Sequence, residues 1–349
     1  MKKSKWSNRQ KYQRYLIADV GVNHENSMEK ATLMIEQVKD AGWDCIKFQV
    51  YTAETIAQKE SPSYWDTSKE ESRSQYELFS KYDKFTLDNY IELSEYSKKC
   101  GIDFCGTVFN EKFIEDFDNL MPYYKIASAD LTNLLLIENI LETGKDIILS
   151  TGASNIIEIT NTVNYILKNK KPNCHVILLH CVLNYPTSYN NADLSKILFL
   201  KEKFPEIEIG YSDHVPPDDD YLCVATAYAL GAKVIEKHFT YDKSLKGNDH
   251  YHAYDYNDAL ALKNKLDKID ILSGDPNKDI TQNQSQARQH ARRSIVARKN
   301  ITKGDVLTKE NLTALRPFNG ISPIHWPEIK GKVAKRNISK DSLICEGDF

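Results

Sequence analysis

Residues 15–50 read YLIADVGVNHENSMEKATLMIEQVKDAGWDCIKFQV, and this stretch decides the fold. Its two ends, residues 15–20 and 45–50, are apolar runs of strand length. Residues 27–41 between them carry apolar side chains at helical spacing. A strand, a helix and a second strand in this order predict a βα unit of a parallel sheet.

The same alternation continues along the chain. Further strand-like runs occupy residues 103–107, 124–126, 146–150, 176–180, 208–211 and 234–238. Helical patterns separate many of them, at residues 86–99, 156–167 and 220–230, and another follows the last run at 257–273. Eight strand-like runs is the number that a closed barrel of βα units requires, so the sequence predicts an α/β protein with a TIM (β/α)₈ barrel.

Two stretches depart from this repeat. Residues 52–84 are polar and aromatic, which predicts an insertion after the second strand, at the active-site end of the barrel. Residues 274–293 contain almost no large aliphatic side chains and are interpreted as a linker. Short β-like segments and turn signals follow, so the predicted organisation is a barrel domain at 1–273, a linker and a small β-rich domain at 294–349.

Composition limits the function classes. The formal net charge is −3 with 27% charged residues, which argues against a general nucleic-acid-binding protein. The basic N-terminal residues 1–15 lack a following apolar run, so we expect neither a signal peptide nor a membrane span. The seven cysteines form no CxxC pair and predict reduced thiols in a cytoplasmic protein.

Polar residues at the ends of the predicted strands suggest an anion site. Lys47 and Lys125 lie among apolar strand residues, and a buried ammonium group without an anion is costly. Hydroxyl groups end neighbouring strands, at Thr107, Ser128, Ser150 and Ser212. Together they predict a pocket for a small dianion or trianion. The alternative is that strand-end carboxylates such as Asp130 neutralise the lysines.

Histidines suggest a metal site at the same rim. His214 and His238 end consecutive predicted strands, and two neutral imidazoles there suit a divalent transition metal. His24 is either a substrate contact or part of the start of the first helix. Asp249, together with the HxH of residues 250–252, either grips sugar hydroxyls or belongs to a solvated loop.

The motifs taken together resemble those of the sialic acid synthase family, which makes N-acetylneuraminate, legionaminate or pseudaminate. The matching segments are, in order, IADVGVNHENS, CIKFQ, YKIASAD, ILSTG, LLHCVLNYPTS, IGYSDH and IEKHFT. Residues 294–323, SIVARKNITKGDVLTKENLTALRPFNGISP, are similar to the C-terminal antifreeze-like (SAF) domain of that family.

The resemblance implies a metal-dependent enzyme that condenses phosphoenolpyruvate with an open-chain N-acetylated amino sugar. The acceptor would be N-acetylmannosamine or a 2,4-diacetamido-trideoxyhexose, and the metal Mn²⁺ by preference, with Mg²⁺ or Co²⁺ possible. It also implies a domain-swapped homodimer. The phosphoenolpyruvate contacts would be Lys47, Thr107, Lys125, Ser128, Ser150 and Ser212. The sugar contacts would be Asp19, Gln49, Tyr185, Asp249 and Arg316, and the metal ligands His214 and His238.

Several positions depart from the family pattern. Asp19 stands where a glutamate is usual, Leu183 replaces a polar residue, and the loop GNDHYHAYD differs from the usual PGPDH type. Either Asp19 or Asp130 would assist the proton transfers, with Lys47 and Lys125 completing the catalytic set. Two alternatives stay open: a related synthase that condenses phosphoenolpyruvate with another aldose, and an inactive sugar-binding homologue.

Overall fold

The protein is described from a computed structural model, which covers residues 4–65, 67–68, 70–247, 249–275, 277–279 and 282–349. Parallel strands β1 to β8 pair in chain order, and β8 pairs with β1 to close the barrel. The strands are β1 (Tyr15–Gly21), β2 (Cys45–Val50), β3 (Asp103–Val108), β4 (Tyr123–Ile126), β5 (Asp146–Ser150), β6 (Val176–Cys181), β7 (Glu208–Asp213) and β8 (Val234–His238). Each predicted run lies inside one of these strands, and the predicted TIM barrel is confirmed.

Helices surround the barrel and fill its insertions. They are α1 (Lys5–Asn8), α2 (Met28–Asp40), α3 (Ala53–Ile56), α4 (Gln75–Tyr82), α5 (Leu87–Cys100), α6 (Ile114–Asp118), α7 (Leu134–Thr143), α8 (Ile156–Asn169), α9 (Ser195–Lys203), α10 (Leu222–Ala229), α11 (Tyr256–Ser273), α12 (Ser285–Ala291) and α13 (Trp326–Ile329). Single turns of 3₁₀ helix occur at Glu111–Phe113, Ser128–Asp130, Tyr189–Asn191, Gln282–Gln284, Pro323–His325 and Glu346–Asp348.

Local sequence explains where these helices begin and which face they bury. In α2 the buried residues are Ala31, Met34, Ile35 and Val38, one stripe at helical spacing. Helix α8 starts at Asn155, whose side chain accepts hydrogen bonds from the first-turn amides while the helix's own Glu158 accepts from the Asn155 amide. This reciprocal cap satisfies amide groups that have no partner inside the helix.

Alternate residues of the strands face the barrel interior. In β8, Glu236 and His238 line a cavity, whereas Lys237 pairs with Asp213 at 2.7 Å and lies over the ring of Tyr254. The neighbouring strands approach closely at Gly210, because a Cβ there would lie 2.3 Å from the carbonyl oxygen of Val234. The side chains of Glu236 and His238 therefore face a cavity at the carboxyl end of the barrel.

The amino end of the barrel is closed by the N-terminal segment. The carboxylate of Asp103 accepts hydrogen bonds from the amides of Lys5 and Trp6 at 2.9 and 2.7 Å and from the Tyr15 hydroxyl at 2.8 Å. Arg9 Nη1 donates to Glu208 Oε2 at 3.0 Å, and Nη2 donates to the other oxygen. Each of these carboxylates is saturated by donors from the segment or the strands.

Residue contacts divide the chain into two compact units between Leu272 and Ser273. The second unit contains the antiparallel pair β9 (Ser294–Ala297) and β10 (Leu312–Leu315) over a small aliphatic core. The segment 274–293, interpreted as a linker, contains the short helix α12. Within the described ranges, none of the helices has the length and apolar character that a membrane crossing demands.

Candidate active site

A cavity of about 320 Å³ opens at the carboxyl ends of the barrel strands. Strand polarity brings residues from distant parts of the chain to this mouth. All the site residues predicted for the barrel line it, namely Asp19, Lys47, Gln49, Thr107, Lys125, Ser128, Asp130, Ser150, Tyr185, Ser212, His214, His238 and Asp249. Arg316 belongs to the second unit, where it is exposed directly after β10.

Two lysines form the cationic floor of the cavity. Lys47 Nζ lies 2.7 Å from Asp19 Oδ2 and donates to the Thr107 hydroxyl at 3.0 Å. Lys125 Nζ lies 3.4 Å from Glu236 Oε1. Burial opposes the charged form of Lys47, but the carboxylates of Asp19 and Glu236 outweigh it and raise its pKa. The floor therefore keeps a permanent positive charge at Lys47 beside carboxylates.

Glu236 is the residue of this floor to which sequence reasoning gave no role. Its Oε1 accepts from the Ser212 hydroxyl at 2.9 Å, and its Oε2 lies 3.8 Å from Lys47 Nζ. The glutamate thus stands between the two ammonium groups. A signal existed in the motif IEKHFT, because Glu236 is two residues before His238 and faces the same side of the strand.

Hydroxyl groups surround the lysines and leave room for an anion. Ser128 Oγ accepts from the Gly152 amide at 3.0 Å, and a Cβ at Gly152 would lie 2.7 Å from that oxygen. Ser150 Oγ is buried and makes no hydrogen bond within the described ranges. A buried hydroxyl without a partner is costly, so it suits a position that a ligand oxygen completes.

The two predicted metal ligands stand side by side. The ring centroids of His214 and His238 are 5.3 Å apart. His214 Nδ1 is 2.7 Å from the carbonyl oxygen of Val182, which leaves Nε2 as its free ligand atom. His238 Nδ1 is buried and has no hydrogen-bond partner among the residues described.

The protonation state of the His238 imidazole also suits metal binding. Burial, followed by the neighbouring His214 and Lys47, holds the pKa of His238 well below its usual value. The ring is therefore neutral at physiological pH, the form in which imidazole binds metals. The donor set fits a divalent transition metal, although the chemistry of the imidazoles does not select one ion.

Asp249 and Tyr185 line the cavity beside the two histidines. Asp249 Oδ2 is 3.6 Å from His238 Nδ1, and the Tyr185 ring packs against His214 at 4.3 Å between centroids. Burial and the nearby Asp19 raise the pKa of Asp249 to about 7. This carboxyl group therefore changes its charge near neutral pH unless a cation or a donor occupies the site.

Asp130 and Asp19 differ in their surroundings. Burial raises the pKa of Asp130, against the lowering effects of Asn133, which donates to it at 3.0 Å, and of Lys125. Asp19 instead lies beside the Lys47 ammonium group and accepts from the Gly21 amide at 3.0 Å. Of the two groups proposed for proton transfer, Asp130 has its pKa raised by burial, whereas Asp19 is paired with an ammonium group.

An apolar wall completes the cavity. Side chains from the predicted insertion at 52–84, which carries α3 and α4, line the mouth as expected. They and their neighbours are Tyr51, Ile56, Tyr64, Leu78, Phe79, Tyr82 and Phe109. Sequence reasoning located the insertion but named none of these residues, because aromatic side chains in a loop carry no periodic signal. This wall can pack against methyl groups or the carbon skeleton of a ligand.

Comparisons with known proteins agree with this architecture. The sequence model of the NeuB family matches residues 34–278, and that of the SAF domain matches residues 292–349. The chain is 36% identical to the N,N'-diacetyllegionaminic acid synthase of Campylobacter jejuni, over 95% of this chain and 98% of that protein. It is 31% identical to the pseudaminic acid synthase of the same organism, over 96% of each chain.

A solved structure gives the same result. The N-acetylneuraminic acid synthetase of Leptospira borgpetersenii, crystallised with citrate, aligns with a TM-score of 0.69 and 31% identity, covering 79% of this chain and 91% of that chain. The family match, the relatives and the observed barrel with its small second unit confirm the predicted family and the prediction of an enzyme. The chain belongs to the NeuB family of sialic acid synthase type enzymes and carries a C-terminal SAF domain.

Proposed function

We propose that this protein condenses phosphoenolpyruvate with an open-chain N-acetylated amino sugar to give a nonulosonic acid and phosphate. The observation that carries the proposal is the buried pair Lys47 and Lys125, set among hydroxyl groups at the barrel mouth. Two ammonium groups and several hydroxyls match the carboxylate and phosphate of phosphoenolpyruvate. The relatives, which are named as synthases of N,N'-diacetyllegionaminic acid and of pseudaminic acid, support the same reaction.

The proposed condensation joins the two substrates through one new carbon–carbon bond. C3 of phosphoenolpyruvate bonds to the aldehyde carbon of the sugar, a water oxygen adds to C2, and the bond from C2 to the phosphate oxygen breaks. The two protons of water end on the new sugar hydroxyl and on the released hydrogen phosphate. Lys47 and Lys125 hold the anionic donor in register with the acceptor, which supplies much of the rate in a reaction of two substrates.

Asp130 is the group that we assign to proton transfer. Burial raises the pKa of Asp130 against the lowering effects of Asn133 and Lys125, which suits a carboxyl group that takes up and returns a proton, whereas the Asp19 carboxylate is paired with Lys47 at 2.7 Å. His214 and His238 would hold a divalent metal, Mn²⁺ by preference with Mg²⁺ or Co²⁺ as substitutes. When bound, the metal would supply Lewis-acid polarisation of a substrate oxygen.

We assign the acceptor sugar from the other residues that line the cavity. Gln49, Tyr185, Asp19 and Asp249 offer polar contacts for hydroxyl or amide groups, while the aromatic wall suits acetamido methyl or 6-deoxy groups. N-acetylmannosamine and 2,4-diacetamido-trideoxyhexoses both satisfy this pattern. A phosphorylated aldose would place a dianion against an apolar surface, so a related synthase of that kind is the weaker alternative.

The test is release of phosphate from phosphoenolpyruvate with Mn²⁺ and a panel of acceptors. The panel contains N-acetylmannosamine, 2,4-diacetamido-trideoxyhexoses and a phosphorylated aldose. Phosphate release that needs one of the unphosphorylated amino sugars, with a nonulosonic acid as product, supports the proposal. Release with only the phosphorylated aldose would make the protein a related synthase. No release with any acceptor, despite sugar binding, would indicate an inactive homologue.

We also propose that Arg316 completes the sugar site of a partner subunit in a domain-swapped homodimer. A guanidinium offers a planar set of donors for an amide oxygen or several hydroxyls. Hybrid dimers of Arg316→Ala and Lys125→Met subunits test this, since one site of the hybrid would then be intact and activity would return. No recovery in the hybrid would place Arg316 in its own subunit's site, and full activity of Arg316→Ala alone would place it outside any site. The cytoplasmic location stays a prediction.

A further inference from the structure

We propose that His252 is a ligand of the active-site metal, acting with His238 and Asp249. One ligand atom from each of these three residues lies within 4.8 Å of the others, and all three side chains are buried. The inference rests on the proposed function in so far as the metal belongs to the same site. It changes the expected ligand set, which from the sequence contains His214 and His238 alone.

The geometry centres on Asp249. Its Oδ2 is 3.6 Å from His238 Nδ1, and its Oδ1 is 3.9 Å from His252 Nε2. Metal ligands held at about 2.1 Å from one ion stand about 3 to 3.5 Å apart, so these groups need only a small closure. The carboxylate thus lies between two imidazoles at nearly the spacing that a bound ion would impose.

The free nitrogen of His238 points to the same place. His238 Nδ1 is buried, and it has no hydrogen-bond partner within the described part of the chain. A Cβ added at Gly21 would lie 3.0 Å from Asp249 Oδ2 and 3.7 Å from His238 Nδ1. Gly21 therefore leaves open the space beside both groups, on the acceptor side of the cavity.

The position of His252 in the loop is specific to this arrangement. Its ring is fully buried and stands 5.0 Å from the His238 ring, centroid to centroid. It lies in the segment GNDHYHAYD, which departs from the usual family loop. Its neighbour His250 turns elsewhere, with Nδ1 2.8 Å from the Thr240 hydroxyl. His250 is thus a matched control for His252.

The chemistry of this set differs from that of two imidazoles alone. The His252 imidazole and the Asp249 carboxylate add one nitrogen and one oxygen ligand to the expected pair, and imidazoles with one carboxylate and open positions for water and substrate suit Mn²⁺, Fe²⁺, Co²⁺ or Zn²⁺. Mg²⁺ prefers oxygen ligands and gains little from the imidazoles. We therefore expect this protein to bind Co²⁺ at least tenfold more tightly than Mg²⁺, and to lose much of that preference without His252.

A packing role is the alternative for His252. Its ring lies 5.4 Å from the Tyr185 ring and 5.2 Å from the Tyr251 ring, as an aromatic core residue would. A residue that only fills space could be replaced by phenylalanine with no effect on metal binding. His252→Phe therefore separates the two roles, because it keeps the ring and removes the ligand.

The experiment is titration of the metal-free full-length protein with Co²⁺, followed by the visible absorption of the bound ion. The proteins are the wild type, His252→Phe, His252→Gln, His214→Phe and the control His250→Asn. We expect the dissociation constant to rise at least tenfold in both His252 variants. The control should stay within threefold of the wild type. If both His252 variants fold and bind Co²⁺ within threefold of the wild type, the inference is wrong.

Anomalous scattering from a crystal and an assay of phosphate release complete the test. If the variants do not fold, anomalous scattering from a wild-type crystal soaked in Co²⁺ decides: an ion within about 2.5 Å of a His252 ring nitrogen supports the inference, and one beyond about 4 Å overturns it. Phosphate release is measured in parallel. An active wild type whose Co²⁺ site needs His214 but not His252 would overturn this inference and leave the proposed function standing.

Discussion

The two ends of the barrel bury similar charges in opposite ways. At the amino end, the carboxylates of Asp103 and Glu208 are saturated by donors from the N-terminal segment and from Tyr15. At the carboxyl end, Ser150 Oγ, Glu236 Oε2 and His238 Nδ1 are buried with no hydrogen-bond partner among the residues described. A saturated buried charge serves stability, whereas buried groups without partners mark where a ligand completes the structure.

The largest effect is expected at the carboxyl end, from Lys125→Met. The substitution removes one of the two ammonium groups that face the proposed donor, so kcat/KM should fall at least about 10³-fold, about 4 kcal/mol in the barrier. Stability should change little, because Glu236 keeps Ser212 and Lys47 as neighbours. Steady-state phosphate release and thermal unfolding measure both. The control is Lys145→Met. Lys145 directly precedes β5 and donates to the Met121 carbonyl oxygen, so this variant should retain full activity.

At the amino end, a substitution should lower the stability and leave the activity unchanged. Arg9→Met leaves the Glu208 carboxylate buried without its guanidinium partner, which should lower the free energy of unfolding by about 3–5 kcal/mol. The folded fraction should keep its kcat. Urea unfolding and activity at low temperature check the two statements.

A second substitution tests the cause of that loss. Replacing both partners, as Arg9→Met with Glu208→Leu, removes the unpaired charge and should recover most of the lost stability. A double variant no more stable than Arg9→Met alone would contradict the comparison between the two ends.

The buried ring of His24 should make the stability of the protein depend on pH. The ring stacks on Phe85 with 4.2 Å between centroids, and burial lowers its pKa to about 4. The unfolded chain binds a proton near pH 6.5, so stability at this position is complete above 6.5 and is lost as the pH falls towards 4. The loss should reach about 3 kcal/mol at pH 4. His24→Gln should flatten this part of the pH profile, and an unchanged profile from urea unfolding would contradict it.

The smallest effect is expected on the outer surface. Lys263 and Asp267 form a pair at 2.6 Å on α11, one turn apart and partly exposed. Water and salt screen such a pair, so Lys263→Ala should change the free energy of unfolding by less than about 0.5 kcal/mol. A loss of stability above 1 kcal/mol would contradict the expectation that this partly exposed pair contributes less than the buried pairs at the amino end.

Much of the fold followed from local pattern. Runs such as 45–50 and 234–238 are apolar over a full strand, and the helix of residues 28–40 buries one stripe, so hydrophobic periodicity locates both. That the polar strand-end residues gather at one place followed from the same reasoning, since residues at strand ends meet at one mouth of a barrel, whereas their roles stay predictions from the resemblance. The role of Glu236 did not, because its two-residue spacing from His238 places it on the interior face but does not show the ammonium groups that face it there.

The sequence by itself determined the order of strands and helices, the closed parallel barrel and the ends of the strands where polar side chains collect. Those features depend on short-range periodicity and on the geometry of βα units. Only the tertiary structure decided that Glu236 stands between Lys47 and Lys125, that an aromatic wall faces them, and that His252 lies beside His238 and Asp249. Such contacts join residues far apart in the chain or within an irregular loop, and no local pattern encodes them.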